Sequence, residues 1–286
     1  MDAYLVLALL LLSHVIADFV LQTDRIAAGK RTNYKMMDSH VRCYLLTNLV
    51  LLAPYLSFAN NLWGLVFVLA VAHWLIDVWK VEYDQRHYTH GLKSFFLDQA
   101  AHILLIGLSY PLLRDIQPTA AFTALANFFS AHYPVLDLLT KQDICIYIVM
   151  LAGYLFNLKG ATVITKLVLD KYLHLKTPAK LPAGQPSVVC AAVDEMAASY
   201  LRDEEVKNAG ETIGNLERLI IVTMVIQQNY AAIGLVFAAK TIARYKQLEE
   251  KNFAEYFLIG TFTSLTTALF IGKAIVALQA GVFNLK

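Results

Sequence analysis

The sequence predicts an all-α fold, a polytopic transmembrane helical bundle of about six full spans plus a helical hairpin. Three observations predict it. The 286 residues are 58% hydrophobic and only 16% charged, with a mean hydropathy of +0.52; soluble domains run nearer to 45–50% apolar and 25% charged. Apolar runs of roughly twenty residues, enough to cross a hydrocarbon core, recur along the chain. The net charge is only +2, so nothing argues for bulk nucleic-acid binding.

The first span is read at about residues 3–22. Met-Asp-Ala-Tyr lacks the basic start of a signal peptide, and His14 and Asp18 interrupt the apolar run, so it reads as a retained span. A polar loop with Lys30, Arg31 and Lys35 follows. Spans two and three fall at about 40–58 and 62–79, joined by a tight turn at Asn60-Asn61. A second polar loop, 80–93, holds Lys80, His87, His90 and Lys93, and span four covers about 94–113. Residues 119–130 suit a short interfacial helix, too short to span. Span five is placed at about 143–158, followed by a lysine-rich stretch that includes Lys159, Lys166 and Lys171. The prolines of 177–187 mark a linker, and 191–208 an amphipathic helix. Residues 219–237 read as a hairpin with Gln227-Gln228-Asn229 at its tip, with a single span as the alternative. A last span covers about 253–278.

This gives four regions. Residues 1–114 form a four-helix domain, 115–176 an outer connection and fifth span, 177–210 a linker and amphipathic helix, and 211–286 a helical membrane region. The glycines Gly210, Gly214, Gly234, Gly260 and Gly272 suit close helix packing. Among the polar residues of the last region, Arg218 or Lys240 is expected to pair with Glu255. Cys43, Cys145 and Cys190 show no CxxC spacing, which gives neither a disulfide framework nor a thiolate zinc site.

The chemistry lies in a repeated spacing. His14 and Asp18, His73 and Asp77, and Asp98 and His102 are each four residues apart, and His40 opens span two. On a helix, positions i and i+4 share a face. Each pair therefore aims an imidazole and a carboxylate at one spot. Counting sides of the membrane puts all seven at similar depth, within roughly 5–12 Å of their helix ends. The loops on that face are the basic ones, so the positive-inside rule puts it in the cytoplasm. Ionisable groups inside a span are costly and mark function. Nitrogen and carboxylate ligands suit zinc first, with manganese and iron(II) open, and seven candidates can serve one or two ions. Asp98 or Asp77 would act as base to the attacking water. Lys30, Lys80 and Lys93 would hold a phosphate. Gln99 is a supporting partner of Asp98.

These residues also carry a resemblance. His-Val-Ile-Ala-Asp-Phe-Val-Leu-Gln (14–22), His40, His-Trp-Leu-Ile-Asp-Val-Trp-Lys (73–80) and Phe-Leu-Asp-Gln-Ala-Ala-His (96–102) resemble a bacterial multi-pass membrane family. It is catalogued as domain of unknown function three-three-zero-seven. The stretches 214–219, 238–245 and 255–261 resemble the C-terminal part of its longer members. The His-xxx-Asp helices are also loosely similar to inner-membrane-associated proteins assigned as metal-dependent hydrolases, and in ligand chemistry to all-helical zinc phospholipases C. The family name implies a bacterial cytoplasmic membrane and no particular activity. The looser similarity is fold-level analogy.

The leading expectation is a membrane-embedded, metal-dependent hydrolase acting on an ester or phosphoester at the cytoplasmic interface. Its partners would be the bilayer, a lipid or phosphoester substrate and a second copy of the chain in a homo-oligomer. The rivals are a transporter or ion conductor using the His/Asp cluster, a di-iron oxygenase or reductase, and a non-catalytic partner with a structural metal.

Overall fold

The N-terminal helix α1, Asp2–Val15, is leucine-rich and free of glycine and proline. Asp2 in its first turn suits the positive end of the helix dipole. Its carboxylate also accepts from Lys141 Nζ at 2.7 and 2.8 Å and faces the Tyr55 hydroxyl at 3.4 Å. In this computed structural model the described residues are 1–30, 34–87, 91–176 and 204–283. Arg31, His90, the linker 177–187 and most of the expected helix 191–208 lie outside them.

After α1 the chain continues as one π-helical turn, Ile16–Val20, closed by Leu21 N–H donating to Ile16 O at 2.9 Å. Then come α2 (Asp24–Gly29), α3 (Tyr34–Leu51), α4 (Leu62–His87), α5 (Leu92–Leu108), α6 (Ala120–His132) and α7 (Lys141–Lys176). The last part holds α8 (Glu204–Ile226), α9 (Tyr230–Ala243) and α10 (Lys251–Phe283). Short 3₁₀ segments sit at Tyr110–Leu113, Pro134–Leu138 and Tyr245–Glu249. No strand occurs among the described residues. Among the described residues, four stretches are long and apolar enough to cross a membrane: Asp2–Val20, Leu62–His87, Lys141–Tyr172 and Lys251–Gly281. The other two expected spans are α3, which carries Lys35, Asp38 and Arg42 in its first half, and the 17-residue α5.

Three boundaries differ from the sequence reading. Helix α4 does not stop at Trp79 but runs to His87, so Lys80 and His87 are helical rather than in a loop. Nothing between them is Gly or Pro, and Arg86 pairs with Glu82 one turn back at 3.0 Å. Gly91, in extended backbone, is the N-cap of α5. Helix α3 begins at Tyr34, placing His40 in its second turn. The lysines after span five stay on the 36-residue α7. The expected short helix at 119–130 is present as α6, capped by Thr119, whose hydroxyl accepts from Phe122 N.

The chain forms two compact units, Met1–Phe156 with Ile275–Lys286, and Asn157–Ala274. In the first, α1 packs on α3 and α5, and α4 packs on the same two, giving a four-helix bundle. Leu5, Val6, Leu10, Leu62, Val66 and Leu69 are buried in its core.

In the second unit α8 and α9 form a helical hairpin. Gln228 turns it in the left-handed region at φ 58°, and Asn229 caps α9 by accepting from Ala232 N. The tip is where the sequence places it. The pairing with Glu255 is not as expected. Lys240 pairs with Glu217 at 2.5 Å, and Glu255 accepts from the Tyr172 hydroxyl. Arg218 is buried among neutral acceptors: Thr162 Oγ1 at 2.5 Å, Asn215 Oδ1 at 2.6 Å and Ser264 Oγ at 3.2 Å. Of the five glycines, Gly272 has the closest approach; a Cβ there would lie 2.7 Å from Val225.

Candidate metal centre

Each helix of the four-helix bundle delivers part of one cluster. The segment from α1 through the π turn brings His14 and Asp18, α3 brings His40, α4 brings His73 and Asp77, and α5 brings Asp98 and His102. The i, i+4 pairs hold as face-sharing pairs: His14 Nδ1 lies 3.8 Å from Asp18 Oδ1, and His102 Nδ1 3.5 Å from Asp98 Oδ1. All seven side chains are buried; His14, His40, His73 and Asp98 are each 1% exposed. Because α4 extends beyond the expected loop, Asp77 sits ten residues, roughly 15 Å, from its helix end. The centre is deeper along this helix than the sequence implies.

The tightest part has four ligand atoms. His40 Nε2 and His73 Nε2 are 3.1 Å apart. Asp18 Oδ1 is 3.3 and 3.4 Å from them, and Asp77 Oδ2 3.5 and 3.7 Å. These distances form two triangles that share the His40–His73 edge, one closed by Asp18 and the other by Asp77. Zinc–ligand bonds of about 2.0–2.1 Å give tetrahedral edges of about 3.3 Å. The edges of each triangle lie near that value, so either set of three atoms matches the ligand spacing of a zinc-sized ion.

Hydrogen bonds fix the nitrogens that point inward. The Gln99 amide faces two carboxylate oxygens, Asp18 Oδ2 at 3.4 Å and Asp98 Oδ2 at 3.1 Å, which only accept. Its nitrogen therefore donates there, and its oxygen accepts from His14 Nε2–H at 3.2 Å. His14 Nδ1 is left with a lone pair toward Asp18 Oδ1. His102 Nδ1 donates to the Asp98 carbonyl at 2.9 Å, leaving Nε2 unprotonated. Asp18 Oδ1, Asp98 Oδ1, His14 Nδ1 and His102 Nε2 are buried and accept no hydrogen bond among the described residues. Buried acceptors facing one another are costly unless something positive lies between them.

Charge leads to the same atom. Lys30 Nζ sits on Asp77 Oδ2 at 2.8 Å, and Lys80 Nζ on Asp98 Oδ2 at 2.6 Å. Of the three carboxylates, Asp18 has no ammonium or guanidinium partner among the described residues. Lys30 and Lys80, read from sequence as phosphate ligands, are thus already engaged inside the cluster. Lys93 is exposed on the first turn of α5.

Several residues escaped the sequence reading. Tyr44 stacks on His73 with centroids 4.2 Å apart and planes at 8°. It belongs to a buried stripe His40, Tyr44, Asn48 at helical spacing on α3, a signal visible in the sequence. The π turn was not visible. It brings Asp18 Oδ1 closer to His40 and His73 than to His14 on its own helix; π turns are frequent at functional sites.

No curated protein and no solved structure matches the chain significantly. The C-terminal stretches lie outside the family match, and all seven cluster residues lie inside it. Residues 6–129 match the family model described as "Protein of unknown function (DUF3307)", and this part of the chain is similar to the domains of that family.

Proposed function

We propose that the cluster is a divalent-metal site and that the protein is a membrane-embedded hydrolase of an ester or phosphoester at the cytoplasmic face of a bacterial inner membrane. The observation that carries this reading is the close approach of Asp18 and Asp77 to the paired ring nitrogens of His40 and His73, with an Asp18 carboxylate that has no cation among the described residues. A divalent ion held there supplies Lewis acidity and an activated water at neutral pH. His40, His73, Asp18 and Asp77 are its ligands, zinc being the ion that fits best. Gln99 clamps the Asp18 and Asp98 carboxylates in place. Asp98 keeps Oδ1 unbonded and is the proton acceptor for the attacking water. Asp77 belongs to the ligand set rather than serving as base. Lys93, on the surface, draws an anionic head toward the site. Lys30, Lys35, Lys80 and Lys93 lie toward one end of the spans, against the uncharged Asn60-Asn61 turn, which supports a cytoplasmic orientation of that end by the positive-inside rule.

An ion-conducting reading needs a polar route onward. The other half of the bundle is closed by buried Leu5, Val6, Leu10 and Leu69, which favours hydrolysis.

Elemental analysis of detergent-purified wild type beside Asp18→Ala and Asp77→Ala tests the site. Bound transition metal in the wild type and its loss from both variants is expected. A metal-free wild type, or variants that keep the metal, would overturn the reading. Metal-dependent, chelator-sensitive release of product from ester and phosphoester lipids then tests the activity.

A further inference from the structure

The ligand stripe does not end at the histidines. On α1, Leu7 and Leu11 precede His14 and Asp18 at spacings of four, three and four, which keeps all of them on one face. On α5, Ile106 follows Asp98 and His102 at spacings of four. Leu7, Leu11, Ile103, Ile106 and Gly107 line a groove of about 240 Å³, completed by apolar residues at the start of α7 and by Ile275 and Leu278 of α10. No charged side chain lines it. Its near end, at Leu11 and Ile103, lies within one turn of His14 and His102, whose rings stack 4.9 Å apart. His102 Nε2 is buried there with no hydrogen-bond partner.

We propose that this groove holds one acyl chain of a membrane lipid, with the ester or phosphoester head drawn against the His/Asp cluster. The inference rests on the metal-site reading and names its substrate class: an amphiphile recognised by its chain. Size selects the occupant. From Tyr4 to Leu11 the groove runs roughly 10 Å along α1, and its volume of about 240 Å³ is about a third or less of what a helix about 10–12 Å wide fills over that length. A second copy of the chain does not fit; a single hydrocarbon chain does. Its surroundings favour the same answer. The first unit holds membrane-length apolar helices, so the medium around it is itself acyl chains. A lipid whose head stays at the interface has its chain pointing inward, along the direction in which the groove leaves the site.

The test uses the full chain in vesicles of phosphatidylethanolamine and phosphatidylglycerol with a trace of a lysophospholipid carrying a mid-chain diazirine. Labelling mapped to Leu7, Leu11, Ile103, Ile106, Ile146 or Val149 is expected. Gly107 lines the groove, and a Cβ there meets no heavy atom within 4 Å, so Gly107→Trp adds bulk at the groove from a position with room for its first side-chain atom. That variant should lose the labelling and keep wild-type metal content. Gly107→Ala should keep both, as should Gly64→Trp, another glycine with open space. Unchanged labelling in Gly107→Trp, labelling confined to outward residues such as Phe67 and Leu104, or crosslinks between chains would overturn the proposal. Groove labelling on a wild type without metal would keep the acyl site and sink the metal reading, so the two failures are distinguishable.

Discussion

Replacing Asp18 by asparagine removes one negative charge and little else, which makes this substitution the most telling at the residue scale. A buried carboxylate without a compensating charge costs several kcal/mol, and that cost disappears when an ion arrives or the charge is removed. Asp18→Asn should therefore lose its metal, yet in the presence of chelator it should melt no lower than chelated wild type. The measurement is metal content together with thermal unfolding in detergent; a variant that melts well below chelated wild type would show that Asp18 is satisfied without an ion. Asp77 is different, because Lys30 would be left on a buried site without its partner. Asp77→Asn should destabilise the chelated protein by about 3–5 kcal/mol, the usual cost of breaking a buried pair. Lys93 is exposed and outside the cluster, and Lys93→Ala should change stability by less than about 0.5 kcal/mol, read by the same unfolding curve.

At the scale of the element, close helix approach is set by single residues. Gly272 on α10 leaves no room for a Cβ against Val225 of α8. Gly272→Ala should overpack that contact and cost about 1–3 kcal/mol, and Val225→Ala in the same chain should recover most of it. A double-mutant cycle that shows simple additivity would remove this contact from the account. The element scale also shows what a sequence discloses. The His–Asp pairs were legible because an i, i+4 spacing survives whatever the helix packs against. The tip at Gln227-Gln228-Asn229 was legible because polar residues interrupting an apolar run have one inexpensive place to go. The end of α4 was not, because the polar residues from Lys80 to His87 are compatible with a helix as well as with a loop, and none of them is Gly or Pro. The π turn at Ile16–Val20 leaves no compositional trace, since its extra residue is defined by which carbonyl is accepted. The Lys30 and Lys80 pairings were hidden because a lysine that reads as a topology signal at a span's end can bend back onto a carboxylate.

For the whole molecule, the balance of charge inside the bundle decides how many ions it takes. Three carboxylates face two ammoniums and four imidazoles. One divalent ion takes the net charge of −1 left by Asp18 to +1, whereas a second would take it to +3 beside Lys30 and Lys80 in a medium where charges are poorly screened. The wild type should hold one metal ion per chain by elemental analysis. Yet Asp77, Asp98 and His102 offer ligand atoms within 4.8 Å of one another, a second position that the Lys80 ammonium now serves. Lys80→Met keeps the length of the side chain and removes its charge. Under chelation this variant should be less stable than wild type by about 3 kcal/mol, because Asp98 is left unpaired in the interior. Zinc should restore that stability through binding to the folded state alone, and the stoichiometry should rise from one towards two. Two ions in the wild type would mean that the lysines do not limit the site. A Lys80→Met protein that folds, recovers with zinc and still binds one ion would mean that Asp98 belongs to the chemistry of the first ion alone.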